Sequence, residues 1–350
     1  MAERITLLVG GRSTEHDASL HGYRHVLSRL LAEPDRIEVG AVCYVDRAGA
    51  FHLFERAPWP EREEVLLGGQ TLGPGAALER LRAADSFVFS LLHGNEGEDG
   101  GWQGLAEVCG ITGNFGPVLA SALAMDKHLQ AVLAAALLPG LRVPRSLLVR
   151  PGSFDAGQVL RRLGPGPLVV KPNRMGASLL TTCLPEPSPS ALAAAVREVF
   201  PYDDQALVQE FIDGREFSCG VYKEHGKFVD LPVAEIVSSG FFGHAEKHTK
   251  GRAKILLSPE NAATRKMRAF SQSLFEATEM ATFARFDYIV EGDGIWFLEA
   301  NTLPGLMSGS IFPMMLAETG RSIADLVLSA VSECGSRPAR DKVLAYDISH

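Results

Sequence analysis

Short apolar runs alternate with helix-like spacings through the first third of the chain. Residues 5–9 form an apolar run that ends in Gly10-Gly11, which predicts a buried strand followed by a tight turn. Residues 19–31 have apolar positions at helical spacing, and residues 37–45 and 86–92 predict further strands. This alternation favours an α/β domain with a doubly wound, mainly parallel sheet, in which ligands bind at the carboxyl ends of the strands.

The rest of the chain favours an α+β arrangement with antiparallel sheets. A helix is predicted to begin near Ala120 and to carry Met125-Asp126-Lys127. Apolar stretches within residues 217–237 recur around a turn, and Glu291-Gly292-Asp293-Gly294 is typical of a hairpin turn. Residues 240–257 are polar and basic with little periodicity, which predicts a mobile lid. Strands are predicted at residues 168–171, 207–211, 287–290 and 295–300.

Composition and charge exclude several classes of protein. A chain of 350 residues usually divides into two or three domains. The net charge of −8 argues against a nucleic-acid-binding protein, and the absence of about 18 consecutive apolar residues argues against a membrane span. The first residues do not resemble a signal peptide, and the 5 cysteines are far apart. We therefore expect a cytoplasmic protein without disulfides or a zinc site.

Two carboxylates and an amide near the end of the chain are the strongest chemical signal. Asp287 and Glu299 face each other from neighbouring strands of the predicted hairpin, and strand alternation puts Glu299 and Asn301 on one face. Such oxygen ligands suit magnesium bound to nucleotide phosphates. An exposed hairpin with charges toward solvent is the alternative, but the strands are otherwise apolar, which favours the metal site.

Lys171 ends an apolar strand and precedes a loop that contains Gly176. This arrangement suits an anion held by a lysine and backbone amides, although it is not a Walker loop. A solvated lysine beside a turn is the alternative for the motif alone. Because a predicted magnesium site lies downstream, we interpret Lys171 as a phosphate ligand.

The loop that begins at His93 and the junction at Glu15 predict a second group of functional residues. Four glycines within residues 93–101 indicate unusual backbone angles at a strand's carboxyl end, where His93 could orient a substrate or act as an acid or base. Glu15 follows the first strand and can hold a substrate ammonium group. A flexible surface loop and a helix-start glutamate are the respective alternatives.

Ten segments together carry a family resemblance. They are Gly10-Gly11-Arg12-Ser13-Thr14-Glu15-His16, His93-Gly94, Gly97-Glu98-Asp99-Gly100, Thr112-Gly113, Ala120-Ser121-Ala122, Met125-Asp126-Lys127, Lys171-Pro172, Gly214-x-Glu216-Phe217, Arg285-x-Asp287 and Glu299-Ala300-Asn301-Thr302-x-Pro304-Gly305. In this order, over roughly residues 5 to 320, the sequence resembles the D-alanine–D-alanine ligases of the ATP-grasp superfamily.

The resemblance implies a domain organisation and a bound nucleotide. It implies an N-terminal α/β domain at residues 1–118, a central ATP-grasp subdomain at 119–208, a C-terminal catalytic subdomain at 209–335 and a tail at 336–350. ATP would bind between the two ATP-grasp subdomains, and the family favours a homodimer.

The resemblance also implies a role for each site residue. Lys127, Lys171 and Lys247 would contact ATP, Gln209 the adenine amino group and Glu216 the ribose. The following roles would complete the site: Asp287, Glu299 and Asn301 as ligands of two Mg²⁺ ions, Arg285 as the stabiliser of the oxyanion, Glu15 and His93 around the first amino acid, and Ser310 and Ile311 around the carboxylate of the second.

Two positions depart from the family pattern near the first substrate. Ala177 stands where the family usually has a serine, and His248 stands where it often has a tyrosine bonded to that serine. The hydroxyl pair that would close the lid is therefore missing. We interpret these departures as a change of the donor amino acid, with the reaction chemistry retained. In this interpretation His248 pairs with Glu15 and takes part in catalysis.

Several functions remain open from the sequence. An ADP-forming ligase of two amino acids, D-alanyl-D-alanine synthesis above all, is favoured, and a dipeptide ligase of a specialised pathway with another donor follows. D-alanyl-D-lactate formation is a variant that nothing in the sequence selects. A catalytically silent nucleotide-binding regulator and a carboxylase or carboxylate–thiol ligase also stay open, because a fold does not fix a function.

Overall fold

A computed structural model describes residues 2–83, 87–238 and 253–335 of the chain. These residues form three β-sheets with helices packed against them. The predicted ligands Lys247 and His248 and the predicted tail lie outside the described residues. Within the described ranges, every helix is too short or too polar to traverse a lipid bilayer.

The first sheet combines a parallel centre with an antiparallel edge. Its strand order is β4-β3-β2-β1-β5, and β1 pairs in parallel with both β2 and β5. The antiparallel pairs β2–β3 and β3–β4 extend the sheet beyond its predicted parallel part. The strands are β1 Glu3–Gly10, β2 Ile37–Val45, β3 Phe51–Phe54, β4 Gln70–Leu72 and β5 Phe87–Ser90.

Helices cover both faces of this sheet, which confirms the predicted α/β class. Strand β1 is buried on both faces from Ile5 to Gly10, as a central strand between helices requires. Helix α1 packs on one face through Tyr23, Leu27 and neighbouring apolar residues. The helices around this sheet are α1 His16–Leu30, α2 Pro74–Ala83 and α3 Gly101–Cys109, with a short 3₁₀ helix at Glu63–Gly68.

The second sheet is antiparallel and has the order β6-β9-β7-β8. Two helices supply its core, and Asp155 and Ser188 cap their amino ends through side-chain hydrogen bonds. The elements are β6 Ser146–Val149, α6 Ala156–Leu163, β7 Leu168–Pro172, β8 Thr182–Leu184, α7 Pro189–Val199 and β9 Ala206–Glu210.

The third sheet is antiparallel as well, with the order β13-β12-β10-β14-β15 and β11 paired to β10. Helix α8 packs on one face, and α9 and α10 join the core that α1 forms with the first sheet. The elements are β10 Arg215–Glu224, β11 Lys227–Phe228, β12 Val233–Ser238, β13 Ala253–Leu257, α8 Ala262–Ala277, β14 Phe283–Glu291, β15 Gly294–Asn301, α9 Ile311–Glu318 and α10 Ile323–Gly335.

Two predictions about individual elements were wrong. The single helix predicted through Asp126 is two helices, α4 Val118–Met125 and α5 Lys127–Leu137, because Asp126 has extended backbone and its carboxylate accepts the amide of Leu129 to begin a new helix. The last part of the predicted lid is strand β13, which pairs with β12. The other residues of that predicted lid, up to 252, lie outside the described ranges.

Candidate active site

Two cavities meet in the cleft between the second and third sheets. The smaller, of about 470 Å³, lies between strands β7 and β9 on one side and β10, β12, β14 and β15 on the other. The larger, of about 930 Å³, extends from there toward α1, the His93 loop and the start of α9. Both cavities are lined by Lys127, Glu216, Ile236, Asp287 and Glu299, which therefore lie where a ligand in one would contact a ligand in the other.

A β-bulge in β15 directs the predicted metal ligands into this cleft. Asp287 pairs with Glu299 and Tyr288 pairs with Phe297, so that Leu298 is the extra residue of the bulge. Phe297 is buried in the core on the opposite face of the sheet. Without the bulge, alternation would place Glu299 on the same face as Phe297. The bulge instead turns Glu299 toward the cleft.

Arg285 and Asp287 form a bidentate ion pair at the junction of the cavities. Arg285 donates from Nε to Asp287 Oδ1 at 3.0 Å and from a terminal nitrogen to Oδ2 at 2.9 Å, and Ser218 Oγ donates to Oδ1 at 2.5 Å. Burial opposes the charge of Arg285, but Asp287 and Glu299 raise its pKa above the ordinary value. A fixed cation therefore lies beside the two carboxylates.

Lys127 lies on the opposite side of the junction. Its ammonium group donates to the carbonyl oxygen of Met175 at 2.6 Å and lies 3.4 Å from Glu299 Oε2. Lys171 and the buried Gln209 line the smaller cavity, and Glu216 lines both cavities. The predicted nucleotide ligands within the described residues are thus gathered around one space.

The oxygen atoms of Asp287, Glu299 and Asn301 fit a hard divalent cation. Asp287 on β14 pairs with Glu299 on β15. The next pair on the same face of the sheet is Arg285 with Asn301. Asn301 Oδ1 accepts the amide of Leu303 at 2.9 Å, which fixes the orientation of the side chain. Two carboxylates and an amide oxygen match the ligands that Mg²⁺ takes beside phosphates. Among the described residues, no group of three or more His, Cys, Asp or Glu side chains is placed to hold a metal ion, here or elsewhere.

Glu15 lies in the larger cavity, close to two glycines. An added Cβ at Gly176 would lie 2.2 Å from Glu15 Oε1, and one at Gly94 would lie 3.0 Å from it. Burial and the carboxylate of Glu98 raise the pKa of Glu15 to about 7. Glu15 precedes α1 but makes no side-chain cap, which argues against a purely helix-starting role. A ligand ammonium group would relieve the repulsion that raises this pKa.

His93 and Glu98 form a buried pair next to Glu15. His93 Nδ1 lies 3.8 Å from Glu98 Oε2, and Glu98 also accepts the amides of Gly94 at 2.7 Å and Leu303 at 3.2 Å. Burial lowers the pKa of His93, but Glu98 more than compensates and raises it above the ordinary value. Glu98 thus joins the His93 loop to the loop after β15. It received no role from the sequence, although it lies within the motif that carried the resemblance.

The loop after β7 has a strained backbone. Ala177, Ser178 and Leu180 have φ values of 54°, 54° and 53°, in the left-handed region that residues with a Cβ rarely adopt. Ala177 lines the larger cavity and Ser178 the smaller one. Strain of this kind persists where surrounding structure or ligand binding requires it, which supports a role for this loop at the site.

Ser310 and Ile311 lie at the amino end of α9, on the wall of the larger cavity. Helix α9 begins at Ile311, and Ser310 makes no side-chain cap hydrogen bond. The first amides of a helix, with the positive end of its dipole, bind carboxylates well. The geometry agrees with the predicted contact to a substrate carboxylate.

Every predicted site residue within the described ranges lines one or both cavities. The sequence did not identify the residues of α1 that line the larger cavity. They are Ala18, His21, Arg24, His25, Ser28 and Arg29. Their spacing on one side of a predicted helix was the available signal.

Two antiparallel sheets that enclose a cleft, with cationic and carboxylate residues at its centre, define the ATP-grasp class of ligases. Two family models match this chain: "D-ala D-ala ligase N-terminus" over residues 4–113 and "D-ala D-ala ligase C-terminus" over residues 156–332. The chain belongs to the D-alanine–D-alanine ligase family. The predicted resemblance, fold class and class of enzyme are confirmed.

Curated relatives match the chain over nearly its whole length. The D-alanine–D-alanine ligase of Citrifermentans bemidjiense is 33% identical over 335 residues, which cover 93% of this chain and 94% of the relative. The D-alanine–D-alanine ligase of Chlorobaculum tepidum is 30% identical over 353 residues, with coverages of 93% and 94%.

Solved structures agree with this fold. The VanG D-Ala:D-Ser ligase of Enterococcus faecalis superimposes with a TM-score of 0.76 at 27% identity, covering 95% of this chain and 99% of its own. The D-alanine–D-alanine ligase of Coxiella burnetii, with a TM-score of 0.74 and 24% identity, covers 96% of each chain and shows the same fold.

Proposed function

We propose that this protein joins two amino acids through an acyl phosphate, with ATP converted to ADP and phosphate. One observation carries the proposal: Lys127, Asp287 and Glu299 line both cavities. A nucleotide in the smaller cavity would therefore present its terminal phosphate to a carboxylate in the larger one. Joining two reactants at one junction removes much of the entropic barrier to their reaction.

The smaller cavity is proposed to hold ATP. Lys127 and Lys171 contact the phosphates, Gln209 the adenine amino group and Glu216 the ribose, with Lys247 as a further ligand from outside the described residues. Asp287, Glu299 and Asn301 hold two Mg²⁺ ions, which neutralise charge on the phosphates when bound. The positions of the described residues in the cleft support these assignments.

The larger cavity is proposed to hold the amino acids. Glu15 binds the ammonium group of the donor, and His93 lies close by. A donor carboxylate oxygen attacks the terminal phosphorus and ADP leaves. The acceptor amine then attacks the acyl carbon, the amine loses a proton and phosphate leaves, while Arg285 stabilises the oxyanion. The amide bond replaces the acyl–oxygen bond to phosphate.

The acceptor carboxylate is proposed to bind at Ser310 and Ile311. D-Alanine is the leading donor and acceptor, since the full-length relatives at 33% and 30% identity are D-alanine–D-alanine ligases. D-Serine is a second acceptor to test, because the VanG enzyme is a D-Ala:D-Ser ligase. A different donor, as in a specialised pathway, is the second candidate, because Ala177 replaces the family's usual serine. His248 is proposed to act beside Glu15.

The decisive experiment is a screen of ADP release with D- and L-amino-acid pairs, followed by mass spectrometry of the products. We expect a dipeptide mass and ADP release that needs both amino acids and Mg²⁺. Binding of ATP without ADP release over the whole panel would instead support a nucleotide-binding regulator. Arg285→Lys serves as a check on the chemistry, because it keeps a charge but loses the bidentate geometry with Asp287.

Three further properties complete the proposal. We propose a homodimer, domain boundaries near residues 118 and 208, and a cytoplasmic location, where ATP is available. Sedimentation analysis tests the dimer, and limited proteolysis tests the boundaries.

A further inference from the structure

Helix α1 forms a basic wall along the larger cavity, beside the proposed acceptor site. His21, Arg24, His25 and Arg29 all line this cavity together with Ser310 and Ile311. His21, His25 and Arg29 are four residues apart and therefore share one face of the helix. The apolar face of α1 packs into the core, so these residues are not required for folding contacts there.

The guanidinium groups of this wall donate hydrogen bonds to carbonyl oxygens and a ring nitrogen and, within the described ranges, not to carboxylates. Arg24 donates from Nε to the carbonyl oxygen of Pro60 at 2.8 Å and from a terminal nitrogen to that of Glu61 at 3.2 Å. Arg29 Nε donates to His25 Nε2 at 3.2 Å. These contacts orient the side chains and leave their positive charges without a carboxylate partner among the residues that the structure describes.

His25 links this wall to the loop before α9. His25 Nδ1 lies 2.7 Å from the carbonyl oxygen of Leu306, so Nδ1 carries the proton, and Nε2 accepts from Arg29. Leu306 lies four residues before Ser310, and the chain of contacts places Arg29 next to the acceptor side of the cavity.

Three carboxylates that line the cavity each have a cationic partner, in contrast to the two arginines of this wall. Asp287 pairs with Arg285, Glu299 with Lys127 and Glu98 with His93. Within residues 2–83, 87–238 and 253–335, no carboxylate forms an ion pair with Arg24 or Arg29. Neighbouring arginines of the first domain do form them, such as Arg36 with Asp325 at 2.6 Å.

We infer that the basic wall of Arg24 and Arg29 binds a second carboxylate on the acceptor, and that the enzyme therefore accepts an amino acid with an acidic side chain in preference to its uncharged amide analogue. This rests on the proposed function, which assigns the acceptor's α-carboxylate to Ser310 and Ile311. The side-chain carboxylate then extends toward α1, where two fixed guanidinium groups supply charge-assisted hydrogen bonds.

Isosteric acceptors test the inference. With the donor that gives the fastest ADP release, kcat/KM is measured for glutamate and glutamine of each chirality as acceptor. We expect kcat/KM for glutamate of one chirality to exceed that for the matching glutamine by about tenfold or more, mainly through KM, since charge-assisted hydrogen bonds to a carboxylate are stronger than those to a neutral amide. Equal values, or a preference for glutamine, would overturn the inference.

Substitution of the two arginines tests whether they cause the preference for glutamate over glutamine. Arg24→Gln and Arg29→Gln should each reduce the glutamate-to-glutamine ratio of kcat/KM several-fold, and Arg29→Lys should retain part of the preference for glutamate. Arg161→Gln is the matched control, because Arg161 is exposed on α6 and does not line the cavity. Unchanged ratios in both α1 variants would show that the wall does not bind the acceptor. Circular dichroism checks that each variant is folded.

A binding measurement separates this inference from the proposed function. Calorimetric titration of the protein with glutamate and with glutamine needs no turnover. Tighter binding of glutamate, lost in Arg24→Gln with Arg29→Gln, supports the basic wall even if no pair releases ADP. ADP release with D-alanine but no difference in either assay would leave the proposed function intact and overturn the inference alone.

Discussion

The two cavities that meet at Asp287 and Glu299 differ in how their walls are built. Strands supply most of the smaller cavity, with apolar side chains such as Val169, Ile289 and Leu298 around the few charged residues. The larger cavity is lined instead by α1, the His93 loop, the loop after β7 and the start of α9.

Because of this difference, the residues proposed for phosphate transfer and those proposed to select the amino acids lie on different kinds of structural element. Hydrogen-bonded sheets position most of the residues proposed to bind nucleotide, and these residues match the family pattern except for Gln209, where the family usually has a glutamate. The departure at Ala177 and the basic face of α1 both lie in the larger cavity. A rigid sheet suits a phosphate transfer that tolerates little misplacement, whereas loops and a helix face accept substitutions that change the substrate.

The largest expected effect is at the junction itself. Glu299→Ala should reduce turnover by more than roughly 1,000-fold, because a metal ligand that stabilises the transferring phosphoryl group is lost. ADP release with saturating substrates measures the loss. Glu291→Ala is the control and should retain normal activity, because Glu291 is the exposed last residue of β14 and lines neither cavity. Near-normal turnover of Glu299→Ala would contradict the metal assignment.

The second effect is confined to the larger cavity. Gly176→Ala should lower kcat/KM for the donor by about 100-fold, since its Cβ would lie 2.2 Å from Glu15 Oε1 and displace that carboxylate. The affinity for ATP, measured by nucleotide titration, should change little. Gly166→Ala is the matched control, because no atom lies within 4 Å of its added Cβ. Equal losses in both variants would exclude this explanation.

The third expected effect is a pH dependence of kcat/KM for the donor amino acid. Burial and Glu98 raise the pKa of Glu15 to about 7, and only the ionised carboxylate binds an ammonium group. kcat/KM for the donor should therefore rise with pH up to about 7, by as much as about tenfold per pH unit below it. Glu98→Gln removes the repelling charge and should move the midpoint to lower pH. A midpoint that stays in place would show that Glu15 does not control donor binding.

The ionisation of Glu15 that should strengthen donor binding as pH rises should also lower the stability of the folded protein. Because the folded-state pKa of Glu15 exceeds its unfolded value, its contribution to stability is complete below about pH 4.5 and is lost as pH rises through about 7. Glu15→Gln should therefore increase the free energy of unfolding at pH 8, by on the order of 1 kcal/mol. Denaturant unfolding at pH 8 and pH 5 tests this, and an equal gain at both would contradict it.

The smallest effect concerns the two departures from the family pattern. Ala177→Ser together with His248→Tyr should raise activity on D-alanine relative to the native donor by roughly fivefold, the value of one added hydrogen bond. Competition between the two donors, read by product mass spectrometry, measures the ratio. An unchanged ratio would show that these positions do not set donor specificity.

The catalytic hairpin could be predicted from sequence because its signals are local. The glycine-containing turn predicted that Asp287 and Glu299 face each other from neighbouring strands, and they are paired. Regular pairing outward from Glu291 and Gly294 would instead place Asp287 opposite Leu298, so this pair also depends on the bulge. The break at Asp126 could not be predicted, since Met125 and Lys127 both suit a helix. Its capping carboxylate is held by Arg174, which lies 48 residues away. Strand β13 was also missed, because its pairing with β12, and not its own periodicity, makes it a strand.

The sequence by itself determined the family, the α/β and antiparallel sheets and nearly all residues of the proposed nucleotide and metal sites. These follow from local periodicity and from motifs that survive in order along the chain. Only the tertiary structure decided which way the side chains face. The bulge at Leu298 turns Glu299 into the cleft, Glu98 joins two distant loops, and the loop at Leu306 makes one face of α1 a cavity wall. Each depends on contacts between segments far apart in sequence, which no local pattern encodes.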